Sequence, residues 1–180
     1  MKFCAFGPFK LEQWSGQDVD KLYRLFEDAC PGLEHTSGVY VVVAGSRATL
    51  SPKYVGKTDG KFGSRLITHF NKTLKKREQS LIDDAALFEQ IFYSHKGGFH
   101  LYLITEMTPT GRFTKRGNIK SKSIDRLEHE LILAGSARSK LWNMRRTKSR
   151  QPGLASLLNW QPDTATSAEK DLIGIFGLKG

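Results

Sequence analysis

The sequence predicts an α+β fold in which a small, three-stranded, mainly antiparallel sheet is flanked by helices and carries extensions at both ends. Three observations predict it. Residues 38–44 form an almost unbroken β-branched run of strand length, Gly-Val-Tyr-Val-Val-Val-Ala. A second short strand, centred on Tyr54-Val55-Gly56, follows a polar connection short enough to pair the two antiparallel. Between and after the strands, apolar residues recur at helical spacing over long stretches. A chain of 180 residues fits one domain with a single core. That core spans about 37–145, with a helical extension over 1–36 and a second extension over 146–180.

Val19, Leu22, Tyr23, Leu25 and Phe26 place a helix between residues 16 and 29, stopped by Cys30-Pro31-Gly32. The strand at 38–44 and the strand at 53–56 come next. Phe62, Leu66, Ile67, Phe70 and Leu74 then mark a helix over 62–75, and Ser80 caps another amphipathic stretch through Phe92 that Gly97-Gly98 ends. Residues 99–104 are the third strand. A loop rich in Gly, Thr and basic residues, 108–122, leads into a helix over 123–137. Beyond it lie a basic segment, 139–150, and two short apolar pieces, 154–158 and 172–176, whose role the pattern leaves open.

The formal charge is +10, and it is concentrated. Residues 57–77 hold seven Lys and Arg against one acid, and residues 112–150 hold twelve against three. Such blocks suit a polyanionic partner, because each Lys or Arg that meets a phosphate releases counterions. DNA is the expected partner, with RNA an open alternative. Cys4 and Cys30 have no CxxC spacing and no histidine at ligand distance in sequence, so neither a zinc site nor a disulfide framework is expected. No apolar run approaches the length of a membrane span, and the N-terminus lacks the pattern of a secretion signal; a cytoplasmic protein is expected. Gly56-Lys57-Thr58 has the ending of a phosphate-binding loop, but Ser51 stands where that motif requires its first glycine.

The residues with chemical potential cluster in order along the chain. Tyr40 and Tyr54 lie on neighbouring strands, and Arg65 and His69, four apart, project from one side of the helix that follows. A guanidinium in that position suits a bidentate clamp on phosphate. In the helix over 123–137, the stripe Ile124, Leu127, Leu131 and Gly135 lies roughly 55° from Glu128 and roughly 105° from Glu130, which makes Glu128 the better inward-facing carboxylate. One carboxylate with several waters and substrate phosphate is a typical setting for Mg²⁺, with Mn²⁺ as a substitute.

Gly38-Val39-Tyr40 and Tyr54-Val55-Gly56, the helix bearing Arg65, the string Glu128-His129-Glu130-Leu131-Ile132 and Asn143 together resemble the GIY-YIG nuclease signature over about 37–145. The resemblance implies a metal-dependent endonuclease that hydrolyses phosphodiester bonds. It assigns catalytic roles to Tyr40, Tyr54, Arg65, Glu128 and Asn143, the metal to Glu128, and the role of general base to a tyrosine of the pair. Tyr40 is the expected base, with Tyr54 or His69 as helpers, and Lys57 is expected to join Arg65 in offsetting charge at the phosphate. Lys61, Lys115, Arg116, Lys120, Lys122, Arg145 and Arg146 are the expected nucleic-acid contacts. The compact chain is similar to GIY-YIG type II restriction enzymes, which implies a possible homodimer. A repair, mobile-element or RNA nuclease would use the same residues, and a non-catalytic nucleic-acid-binding protein would use the same basic surface.

Overall fold

The computed structural model of the chain describes residues 2–9, 24, 28, 37–45, 50–58, 62, 99–105, 122–138, 141 and 167–177. Four strands and two helices lie within them: β1 (Lys2–Phe9), β2 (Gly38–Ala44), β3 (Ser51–Thr58), β4 (Phe99–Thr105), α1 (Lys122–Arg138) and α2 (Ser167–Phe176). The strands form one sheet in the order β1-β4-β2-β3, with every neighbouring pair antiparallel. The class is therefore α+β, as expected.

The three expected strands are β2, β3 and β4, and β1 joins them as a fourth. This extra member occupies some of the segment expected to be helical. Gly7-Pro8 obscured it, since proline has no N–H for a ladder. In the fold β1 is an outer strand, and the pairing with β4 shifts register between Phe6 and Phe9, so Gly7 and Pro8 fall at an irregularity. Outer strands and bulges are where a sheet tolerates proline. Arg24 and Asp28, in the stretch read as an N-terminal helix, are helical and exposed.

β2 sits between β4 and β3, and all seven of its residues are buried. That explains its near-continuous apolar sequence: a central strand covered on both faces has no polar positions to alternate with. β3 runs two residues further each way than its apolar centre suggested, because pairing with β2 extends from Ser51 opposite Ala44 to Thr58 opposite Gly38. Two side-chain hydrogen bonds close the ends of the sheet. The Ser51 hydroxyl donates to the Ala44 carbonyl at 3.5 Å, and the buried Thr105 hydroxyl donates to the Ser37 carbonyl at 2.8 Å.

Alternation along the strands gives the sheet two distinct faces. Val39, Val41 and Val43 of β2, Val55 of β3 and Tyr102 and Ile104 of β4 share one core with Ile124, Leu127, Leu131 and Ile132 of α1 and Leu172 and Phe176 of α2. The apolar stripe expected on the 123–137 helix is thus the stripe that packs. α2 accounts for the apolar piece at 172–176 as a docked helix, held where Arg138 donates to the carbonyls of Gly174 (3.2 Å) and Ile175 (3.5 Å). Gly177 ends it with φ 63° and returns its N–H to Gly174, a left-handed stop that glycine makes without strain. No helix among the described residues is long and apolar enough to cross a membrane.

Candidate functional site

The opposite face of the sheet holds the two tyrosines. In the β2–β3 register Tyr40 stands opposite Gly56, and Tyr54 stands opposite Val42. Their rings lie 5.7 Å apart between centroids and are tilted by 43°. Gly56 makes this contact possible. A β-carbon there would fall 2.5 Å from Tyr40 Cζ and 2.7 Å from a Tyr54 ring carbon, well inside van der Waals distance. Gly38 has the same role at the next pair on this face, where a β-carbon would meet the Ile104 carbonyl at 2.2 Å and the Phe62 ring at 2.6 Å. Both glycines of the paired tripeptides are therefore required by close packing on the tyrosine face.

The two phenols differ in access. Tyr40 is fully buried, on a central strand, and its hydroxyl lies over Gly56. Tyr54 is half-buried, on the outer strand β3. Of the pair, Tyr54 is the more accessible to solvent.

Lys57 follows Gly56 and points the other way, toward α1, where its ammonium donates to the carboxylate of Asp125. Glu128 is one turn further along that helix. At 100° per residue it lies about 60° around the axis from Asp125 and about 40° from Ile124, between the Lys57-bearing flank and the packed stripe. Glu128 is half-buried.

The expected single constellation is consequently divided. Tyr40 and Tyr54 meet on one face of the sheet; Lys57 and the helix bearing Glu128 meet on the other. Tyr54 and Lys57 are three residues apart on the outer strand β3 and project from its opposite faces. The relative burial of the two glutamates also reverses expectation. Glu130 is only 6% exposed whereas Glu128 is half-buried. Helical periodicity registers the stripe facing the sheet, but α1 is covered on a further flank as well. Arg126 Nε, His129 Nε2 and Glu130 Oε1 are shielded from water there and have no hydrogen-bond partner among the described residues. Lys122, at the start of α1, is exposed. Arg65, His69, Asn143, Lys61, Lys115, Arg116, Lys120, Arg145 and Arg146 lie outside the described residues.

Comparison with family models, curated proteins and solved structures gives no match.

Among the described residues no three His, Cys, Asp or Glu side chains gather as a metal cage. Glu128 can offer one carboxylate to a hard cation whose other positions are filled by water and phosphate oxygens, a mode that suits Mg²⁺. Asp125 was not among the expected site residues. It belongs to no tripeptide, and only the fold brings it to Lys57, 68 positions away.

Proposed function

We propose that the chain is a divalent-metal-dependent endonuclease of the GIY-YIG type, acting on DNA at the edge of β3. The observation that carries this reading is the register of the two tripeptides. Tyr40 opposes Gly56 on adjacent antiparallel strands, and the tyrosine rings pack over that glycine. The order of motif residues in the sequence thus corresponds to a specific juxtaposition in space. The concentration of basic residues over 57–77 and 112–150 supports a phosphate-rich substrate.

In this reading Tyr54 takes a proton from the attacking water, and Lys57 offsets charge on the phosphoryl oxygens. Glu128 holds a Mg²⁺ or Mn²⁺ ion, which when bound supplies Lewis-acid stabilisation of the developing negative charge. Arg65, His69 and Asn143 complete the catalytic set by their place in the sequence pattern. A restriction-type homodimer is one setting for such an enzyme, and a repair or mobile-element nuclease is another.

A second reading has an observation in its favour. The complete burial of Tyr40 and the packing of α1 on the far face suit a non-catalytic nucleic-acid-binding protein, in which the tyrosines serve packing alone. Plasmid DNA incubated with the protein and Mg²⁺, with EDTA and Glu128→Ala as controls, separates the two. Metal-dependent nicking that Glu128→Ala loses is the expected result. Binding without nicking by the wild type would replace the nuclease reading with the binding one. Duplex DNA, single-stranded RNA and structured RNA assayed in parallel identify the substrate.

A further inference from the structure

Lys57 and Asp125 join the strand residue beside Gly56 to the first turn of α1. We infer that Asp125 is a positioning residue, fixing the Lys57 ammonium at the β3 edge for contact with a scissile phosphate; this rests on the nuclease reading above. Three features lead to it. A lysine side chain is a point charge on a flexible four-carbon stem, so without a partner its ammonium samples many positions. The pair is too open to matter much for folding, with side chains 25% and 42% exposed. Ion pairs that accessible contribute little to stability, and confinement of the ammonium is the main consequence of this one.

The third feature is placement. Asp125 and Glu128 are three apart on α1 and share a flank, so an ammonium held by Asp125 lies along the flank that carries the proposed metal ligand. Asp125 supplies Lys57 with a counter-charge one helical turn from the carboxylate to which the nuclease reading assigns the metal.

A competing role for Asp125 is local. An acidic residue in the first turn of a helix interacts favourably with the unpaired N–H groups there. That role does not depend on Lys57, and a double-mutant cycle tells the two apart. The experiment compares wild type, Asp125→Asn, Lys57→Ala and the double variant, with Asp125→Glu as the conservative change and thermal melting as the check on folding. With metal-dependent plasmid nicking as the assay, Asp125→Asn lowers kcat at least tenfold while KM changes less than threefold. The same substitution has no further effect in the Lys57→Ala background, and Asp125→Glu recovers most of the loss. An equal loss in both backgrounds overturns the inference and returns Asp125 to the helix start. Should the wild type bind DNA and fail to nick it, the nuclease reading falls. The cycle is then read on the dissociation constant for a short duplex in EDTA, where coupling between the two residues sustains the positioning role and simple additivity ends it.

Discussion

The two faces of the sheet are built on opposite principles. On the tyrosine face, two glycines strip side chains away so that aromatic rings can lie against backbone. On the α1 face, β-branched and aromatic side chains from three strands fill the space under two helices. The first arrangement is intolerant of any added atom; the second tolerates exchange among apolar residues of similar volume. The tyrosine face is organised around the close approach of two phenols, and each large ring it buries depends on a glycine that leaves room for it.

The sharpest way to probe that difference is to remove one hydroxyl at a time. Tyr54→Phe is expected to lower nicking by about 10²–10⁴-fold, the range for loss of a general base. Tyr40→Phe is expected to lower the melting temperature, at a cost of about 1 kcal/mol for the altered hydrogen bonding, while kcat stays within about tenfold. Steady-state rates and melting curves on both variants check the pair. The opposite outcome would assign the base to the buried phenol and require the closed face to open during turnover.

Adding one carbon is the next probe. At Gly38 the atom that blocks a β-carbon is the Ile104 carbonyl, held in the β2–β4 ladder. Gly38→Ala is therefore expected to destabilise by about 3 kcal/mol or more, the upper end for overpacking. At Gly56 the obstructing atoms belong to two rings, which can rotate, and Gly56→Ala is expected to cost about 1–3 kcal/mol. It also separates the tyrosines, so nicking should fall by more than the stability loss explains. Denaturant unfolding beside activity measures both. Equal costs at the two glycines would mean that the backbone is as free to yield as the rings are.

Much of this contrast was legible in the sequence, for reasons that differ by element. The run at 38–44 is central and doubly covered, so burial wrote itself into consecutive apolar letters. The stripe Ile124, Leu127, Leu131 of α1 was legible because one helix face meets one sheet. Glu130 was not, since its cover comes from a second direction that periodicity does not encode. β1 was hidden by Gly7-Pro8, residues that a strand accommodates only once its position at the sheet edge is known. The tyrosine pair was legible as neighbours on adjacent strands. Its separation from the helix of Glu128 was not, because which face a helix covers depends on connections rather than on motif order. Asp125 was invisible for a similar reason: an acid in a helical first turn acquires a partner from β3 only in three dimensions.

Glu130 offers a smaller test on the helix side. One of its carboxylate oxygens is buried with no hydrogen-bond partner among the described residues, an arrangement that costs roughly 1–3 kcal/mol. Glu130→Leu is expected to hold or raise stability by about 1 kcal/mol and to leave metal-dependent nicking intact, because the metal is assigned to Glu128. Loss of nicking with stability unchanged would transfer the metal to Glu130 and reverse the order of the two carboxylates.

A different test concerns ionisation on the α1 face, where pH and not a substitution is the main variable. Tyr102 is 2% exposed, and burial first, then the nearby Asp171 carboxylate, push its phenol up to about 12. An unfolded tyrosine ionises near about 10. Between those values the unfolded chain releases a proton that the fold retains, so unfolding is favoured as pH rises from 10 toward 12, while below 10 the contribution of Tyr102 is constant. His100, two residues back on β4, behaves in the opposite sense. Burial lowers its pKa despite the opposing influence of Asp171, so stability falls as pH drops below about 6.5 toward the folded value. Denaturant midpoints followed from about pH 9 to about pH 11.5 should decline for the wild type and flatten for Tyr102→Phe. Asp171→Asn, which removes the repulsion of a phenolate by α2, should only partially reduce the decline, because burial is the larger cause. A decline as steep in Tyr102→Phe as in the wild type would mean that this face admits water around β4, and that the contrast between it and the tyrosine face is weaker than the packing of its side chains implies.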